Sequence, residues 1–283
     1  MTLFPEYHRT DAEVSQLVAD LRASIVPDIK DYQLALSLID LTTLNGNDQQ
    51  ATVDTLCRKA LLLKQPQSGL PGVAAVCVYP PFVRRCVELL HGSGLKVASV
   101  AGAFPSGQSP LFVKLAEVQF AVEEGADEID MVISRGTFLE GRFAEVSGEI
   151  TAIRNICREA HLKVILETGE LSSVSNIRKA SELAIEAGAH FIKTSTGKII
   201  PAATPEAMWV MCETIADYYR ATGKMVGIKP AGGIAAAEDV HIYIAIVKHI
   251  LGTDWLTPEW FRLGASRLAD NLVAVIQSIN KTL

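Results

Sequence analysis

The chain has 283 residues, 49% hydrophobic and 20% charged, with 26 basic against 32 acidic residues for a net charge of −6. That balance excludes a disordered or low-complexity chain, and the absence of a long basic run argues against a nucleic-acid partner. No apolar run reaches membrane-spanning length, and the opening MTLFPEYHRTDAEVSQ lacks a basic segment followed by a hydrophobic one, so the expectation is a cytoplasmic protein with no membrane partner.

Residues 1–34 read as an N-terminal helical extension, because Val14, Leu17, Val18, Leu21 and Ile25 recur at three- and four-residue spacing over 11–24. Residues 35–283 then follow one rhythm. Short apolar or β-branched strands are expected at 35–41, 73–79, 95–101, 127–133, 161–167, 189–194, 225–229 and 261–265. Amphipathic stretches separate them, such as 172–188, which opens on N-cap serines and closes on Gly188. Eight strands alternating with eight helices predict an α/β chain with a parallel sheet. The count favours closure into a (β/α)8 TIM barrel over an open doubly wound sheet. The five cysteines, Cys57, Cys77, Cys86, Cys157 and Cys212, are scattered without a Cys-x-x-Cys pair, which predicts reduced thiols and no zinc site.

Candidate chemistry gathers at predicted strand ends, where barrels build their active sites. Lys193 in FIKTSTGK and Lys229 in GIKPAGG end adjacent strands. Burial and mutual repulsion would both disfavour charge, and a neutral amine is a nucleophile toward carbonyls. The plainer alternative is that each lysine reaches solvent or pairs with a carboxylate. EGADEID (124–130) and AGAHFIK (187–193) share a Gly-Ala helix exit and align Asp130 with Lys193. Strands four and six contribute to one interior layer of such a barrel, so acid and amine would face each other. Asp130 would then serve as a proton carrier or as a structural ion-pair partner, and the two are compatible.

STGK (195–198), AGG (231–233) and GAS (264–266) follow the last three strands. Glycine-containing loops there suit an anion site, with Lys198 and Arg267 as sources of charge. Asp40 ends the first strand, as an N-cap or as a ligand for a substrate hydroxyl; spacing does not choose. Cys77 faces into or out of the barrel with equal expectation. Glu167 and Glu170 belong to the rim without an assigned step, and the six histidines lie beside no nucleophile or metal cluster.

Together LIDLTTLN (38–45), VCVYPPFV (76–83), GADEIDMVI (125–133), VILETGEL (164–171), FIKTSTGK (191–198), GIKPAGGI (227–234) and RLGAS (262–266) resemble the deoxyribose-phosphate aldolase family, in consistent order over roughly 36–270. The resemblance implies a class I aldolase with no metal or cofactor, acting on a sugar phosphate and small aldehydes. By motif it makes Lys193 the Schiff-base lysine, Lys229 the neighbour that lowers its pKa, and Asp130 the acid of proton transfer. It puts Asp40 and Thr42 at the substrate's hydroxyl end and Cys77 on the pocket wall. Thr196, Gly197, Lys198, Gly232, Gly233, Gly264 and Ser266 would surround the substrate and its phosphate. Barrels of this kind often pair through helices, so a homodimer is expected. Three positions depart from the family pattern: Ile234-Ala235 stands where some members carry an arginine, Arg267 where a serine often follows, and the chain ends INKTL without a terminal tyrosine.

Overall fold

The computed structural model describes residues 3–280. Two helices precede the first strand: α1 (Asp11–Ser24), opened by a capping box between Thr10 and Glu13, and α2 (Ile29–Ser37), capped by Asp28. Val14 and Val18 are buried, while Leu17, Leu21 and Ile25 pack partly buried against the same core, as their spacing predicts. α1 rests on the later helices α10 (Pro205–Thr222) and α11 (Val240–Ile250), and α2 on α11 and α12 (Arg267–Asn280).

The strands are β1 (Ile39–Thr42), β2 (Ala75–Val78), β3 (Lys96–Ala101), β4 (Glu128–Val132), β5 (His161–Ile165), β6 (Phe191–Lys193), β7 (Gly227–Lys229) and β8 (Leu263–Ala265). All neighbours pair parallel, in the order β7-β6-β5-β4-β3-β2-β1-β8. Bridges from Ile228 to Phe261 and from Ala231 to Gly264 join the two ends and close the barrel. The crossovers are α3 (Gln50–Lys64), α4 (Val83–Leu90), α5 (Leu111–Glu123), α7 (Phe143–Cys157), α9 (Val174–Glu186), α10 and α11, with short helices α6 (Arg135–Leu139) and α8 (Thr168–Leu171) inserted after β4 and β5, and α12 follows β8. Ser173 caps α9 by accepting a hydrogen bond from Asn176 N. β1 starts at Ile39 and not at residue 35, because residues 35–37 complete the last turn of α2.

Side chains alternate across each strand. Ile129, Met131, Leu162, Val164, Ile192 and Ile228 face the helices and join the main hydrophobic core. Their neighbours Glu128, Asp130, Lys163, Lys193 and Lys229 face the interior, all buried. At the base of that interior, the Phe191 ring lies 5.8 Å from Lys163 Nζ and 5.9 Å from the Arg262 guanidinium carbon. Gly227 is paired with Phe191 across the β6–β7 ladder, and a Cβ on it would lie 2.3 Å from the ring. Only hydrogen fits there. Gly227→Ala is therefore expected to destabilise the barrel by about 1–3 kcal/mol through overpacking, read as a lower urea midpoint at constant m. An unchanged midpoint would mean that Phe191 moves aside freely.

Candidate active site

Seven charged side chains meet inside the barrel. Asp130 Oδ2 accepts from Lys193 Nζ and from Lys229 Nζ at 2.7 Å each, and its Oδ1 accepts from Lys163 Nζ at 3.1 Å. Lys229 also donates a short bond to Asp40, whose other oxygen accepts from Arg262 Nη1 at 2.6 Å. Arg262 Nη2 donates to Glu128 Oε1 at 2.8 Å, and Lys163 makes a short contact with Glu128. Four cations thus share three carboxylates. Asp40, Asp130, Lys163 and Lys229 have no exposure, whereas Lys193 keeps 3%.

The energetics single out one lysine. Burial pushes Lys193 toward the neutral amine; Asp130 opposes this and Lys229 reinforces it, leaving its pKa below the ordinary lysine value. Burial acts on Lys229 too, but Asp130 and Asp40 outweigh it and raise that lysine's pKa. Asp130 is raised by burial and lowered more strongly by Lys163, Lys193 and Lys229, so it stays a carboxylate. Asp40 behaves likewise under Lys229, Arg262 and Lys163. Desolvation therefore leads at Lys193, with repulsion from Lys229 as the assisting cause.

Above the network opens a cavity of about 410 Å³. Lys193 is the network member that reaches it. Thr42, Thr196, Gly197, Lys198, Gly232, Gly233, Gly264 and Ser266 line it with Ala235 and Arg267. Among the described residues, the lining includes three cations and no carboxylate. The loops after β6 and β7 are stitched together: Ala231 N donates to Thr194 Oγ1 at 3.0 Å, and Ser195 makes a short bond to Ala231 O. Gly232 adopts φ 75°, and a Cβ on it would fall 2.7 Å from Gly197 Cα, so backbone meets backbone at the rim. The Lys198 ammonium bonds Leu44 O across the mouth.

The three residues expected to carry chemistry are thus hydrogen-bonded together. Asp40 is not an N-cap: it lies inside β1, with one oxygen paired to Lys229 and the other to Arg262. Cys77 faces inward, fully buried beside Leu44, Ala98 and Val100, and burial, together with Asp130, pushes its thiol up to about 11. Sequence reasoning missed Lys163, Glu128 and Arg262. The available signal was their place inside apolar strands, with Glu128 two residues from Asp130 and so on the same face. It also left Glu167 without a role; the structure buries it against Thr196.

A family model described as DeoC/LacD family aldolase matches residues 34–248. The deoxyribose-phosphate aldolase of Mus musculus is 47% identical over 248 residues, 84% of this chain and 78% of that protein. The Homo sapiens enzyme is 46% identical over the same shares. A putative deoxyribose-phosphate aldolase of Caenorhabditis elegans is 43% identical over 92% of this chain and 86% of its own. Among solved structures, a putative deoxyribose-phosphate aldolase from Coccidioides immitis superposes with a TM-score of 0.73 at 28% identity, covering 94% of this chain and 97% of that one.

An amine must lose its proton before it adds to a carbonyl. Imine formation at Lys193 is expected to rise with pH through a midpoint below the ordinary lysine value of about 10.4. In Lys229→Met the cation that pushes Lys193 down is gone and Asp130 is left to Lys193, so that midpoint should move to higher pH. Borohydride trapping with a small aldehyde across a pH series measures it; an unmoved midpoint would remove Lys229 from this role.

Proposed function

The chain belongs to the DeoC/LacD family of aldolases, and from that premise we propose that it reversibly cleaves 2-deoxy-D-ribose 5-phosphate to D-glyceraldehyde 3-phosphate and acetaldehyde through an imine on Lys193. One observation carries the reading: Lys193 lines the cavity while sharing a single Asp130 oxygen with a second lysine. That arrangement favours loss of the ammonium proton at the floor of an open site.

Neutral Lys193 Nζ adds to C1 of the open-chain sugar, and loss of water leaves an iminium. The 3-hydroxyl then gives its proton through water to Asp130, the C2–C3 bond breaks, and the bond's electron pair flows into the iminium to form an enamine. Glyceraldehyde 3-phosphate departs. Asp130 and Lys229, acting through water, return a proton to C2, and hydrolysis of the resulting iminium frees acetaldehyde and restores the amine. Asp130 is placed for this by accepting hydrogen bonds from both Lys193 and Lys229 on one oxygen. The phosphate end is assigned to the rim formed by Thr196, Gly197, Lys198, Gly232, Gly233, Gly264 and Ser266, with Arg267 supplying charge near Ala235. Asp40 orders Lys229, and Thr42 bounds the hydroxyl end of the pocket, with Cys77 buried behind the lining and not part of it. No step calls for a metal or cofactor.

A homodimer acting in the cytoplasm is part of the same proposal. A related structure from Aeropyrum pernix is described as a unique tetramer and superposes with a TM-score of 0.67 at 25% identity, over 95% of this chain and 98% of that one. Among the described residues, no helix is long and apolar enough to cross a membrane.

Incubation with 2-deoxyribose 5-phosphate and borohydride, followed by intact mass and peptide mapping, is expected to show a reduced two-carbon adduct on Lys193. Folded protein without an adduct would return the barrel to a role in binding sugar phosphates. Lys193→Leu should lose turnover by several orders of magnitude, as removal of a covalent nucleophile does, while its thermal melt persists. Near-normal turnover would overturn the assignment.

A further inference from the structure

Glu167 takes no part in the reaction just described, yet it is held more elaborately than any rim residue. It follows β5 with φ 58° and ψ 58°, a left-handed conformation that costs a non-glycine residue energy, and it is fully buried. Its Oε1 accepts from Thr196 N at 3.2 Å, and its Oε2 takes the Thr196 hydroxyl in a short bond. Arg135 Nη1 donates to the same Oε2 at 3.2 Å. Thr196 Oγ1 in turn accepts from Lys198 N at 3.1 Å.

The arrangement spans four loops. Arg135, at the start of α6, also pairs with Glu170 at 3.0 Å and donates to Ser106 O at 2.8 Å and Pro105 O at 3.2 Å. The segments after β3, β4, β5 and β6 therefore meet on one carboxylate and one guanidinium. A bare carboxylate behind an anion site would repel the anion. Here the Arg135 charge and the two donors of Thr196 compensate it, leaving geometry as its contribution. The Thr196 hydroxyl spends its proton on Glu167 and presents a lone pair to Lys198 N, so one side chain sets the course of residues 196–198 along the cavity wall.

We propose that Glu167 is a positioning residue for substrate selectivity: through Thr196 it holds the 196–198 loop in the shape that receives the substrate's phosphate. This rests on the reaction proposed above. Glu167 is not among the cavity-lining residues, so its effect passes entirely through Thr196.

The test compares 2-deoxyribose 5-phosphate with unphosphorylated 2-deoxyribose in the full-length protein and its Glu167→Gln variant, with circular dichroism and melting to verify folding. A lost hydrogen bond to a charged acceptor predicts a KM for the phosphorylated sugar raised about tenfold or more, kcat within about threefold, and kcat/KM for 2-deoxyribose within about twofold. Preference for the phosphate would fall by about tenfold. A parallel loss on both sugars, or no change on either, overturns the assignment. Should the glutamine variant not fold, Glu167→Asp withdraws the carboxylate from Thr196 by one methylene without touching the cavity lining and must also lower the preference; an unchanged ratio is equally fatal. Borohydride trapping keeps the two readings apart. A wild-type protein without an adduct sinks the aldolase reading, whereas adducts in both proteins with an unaltered preference sink the role of Glu167 alone.

Discussion

Asp130 serves three lysines with two oxygens, and the chemistry of the barrel interior follows from that shortage. A buried ammonium without a full counter-charge carries a cost of several kcal/mol, and losing its proton relieves it. The partners decide which lysine does so. Lys163 has Glu128 in addition to Asp130, and Lys229 has Asp40. Among the described residues, Lys193 has Asp130 alone, and that oxygen is shared. In the proposed reaction the nucleophile is selected by its place in the network and by nothing particular to its own side chain.

This network occupies volume that barrels of this type ordinarily fill with branched apolar side chains. Buried ion pairs rarely outdo apolar packing in stability, so the interior is a poor choice for stability and a good one for holding charge in fixed geometry. The fold compensates outside the strands, where Ile129, Met131, Leu162, Val164 and Ile192 join a continuous core with the helices. The Phe191 ring below gives Lys163 and Arg262 an aromatic face to rest on, a partial substitute for the water they have lost.

The fold was legible because parallel strands buried on both faces read as short apolar runs between helices. The start of the first strand is hard to read because Leu34, Ala35 and Leu36 in the last turn of α2 are separated from Leu38 and Ile39 by Ser37 alone, with no glycine or proline to mark the boundary. In the site, Lys193 and Lys229 are the lone charges of their apolar strands, and Asp130 is an aspartate inside a strand, where that residue is disfavoured. Glu128 follows the same rule but sits next to Asp127, so it reads as a solvated strand entry. Lys163 and Arg262 are masked in the same way, flanked by a histidine and by an aromatic cluster. What local patterning does not encode is partnership. Asp40 had two readings because Lys229 and Arg262 lie 189 and 222 residues away in the chain. Glu167 showed no role because Thr196, 29 residues on, reaches it only once β5 and β6 are side by side.

The Phe191 ring lies below the network and the cavity opens above it, and this imposes a sequence of traffic. In the proposed reaction the two-carbon fragment is tethered at the bottom on Lys193, and the phosphate-bearing fragment lies between it and solvent. The three-carbon product must leave first and the two-carbon product last. Run in reverse, the small aldehyde must enter first and be fixed before its partner arrives, since a sugar phosphate already seated at the rim would stand in its path. Order is thus a property of the barrel's depth, independent of how tightly either aldehyde is held.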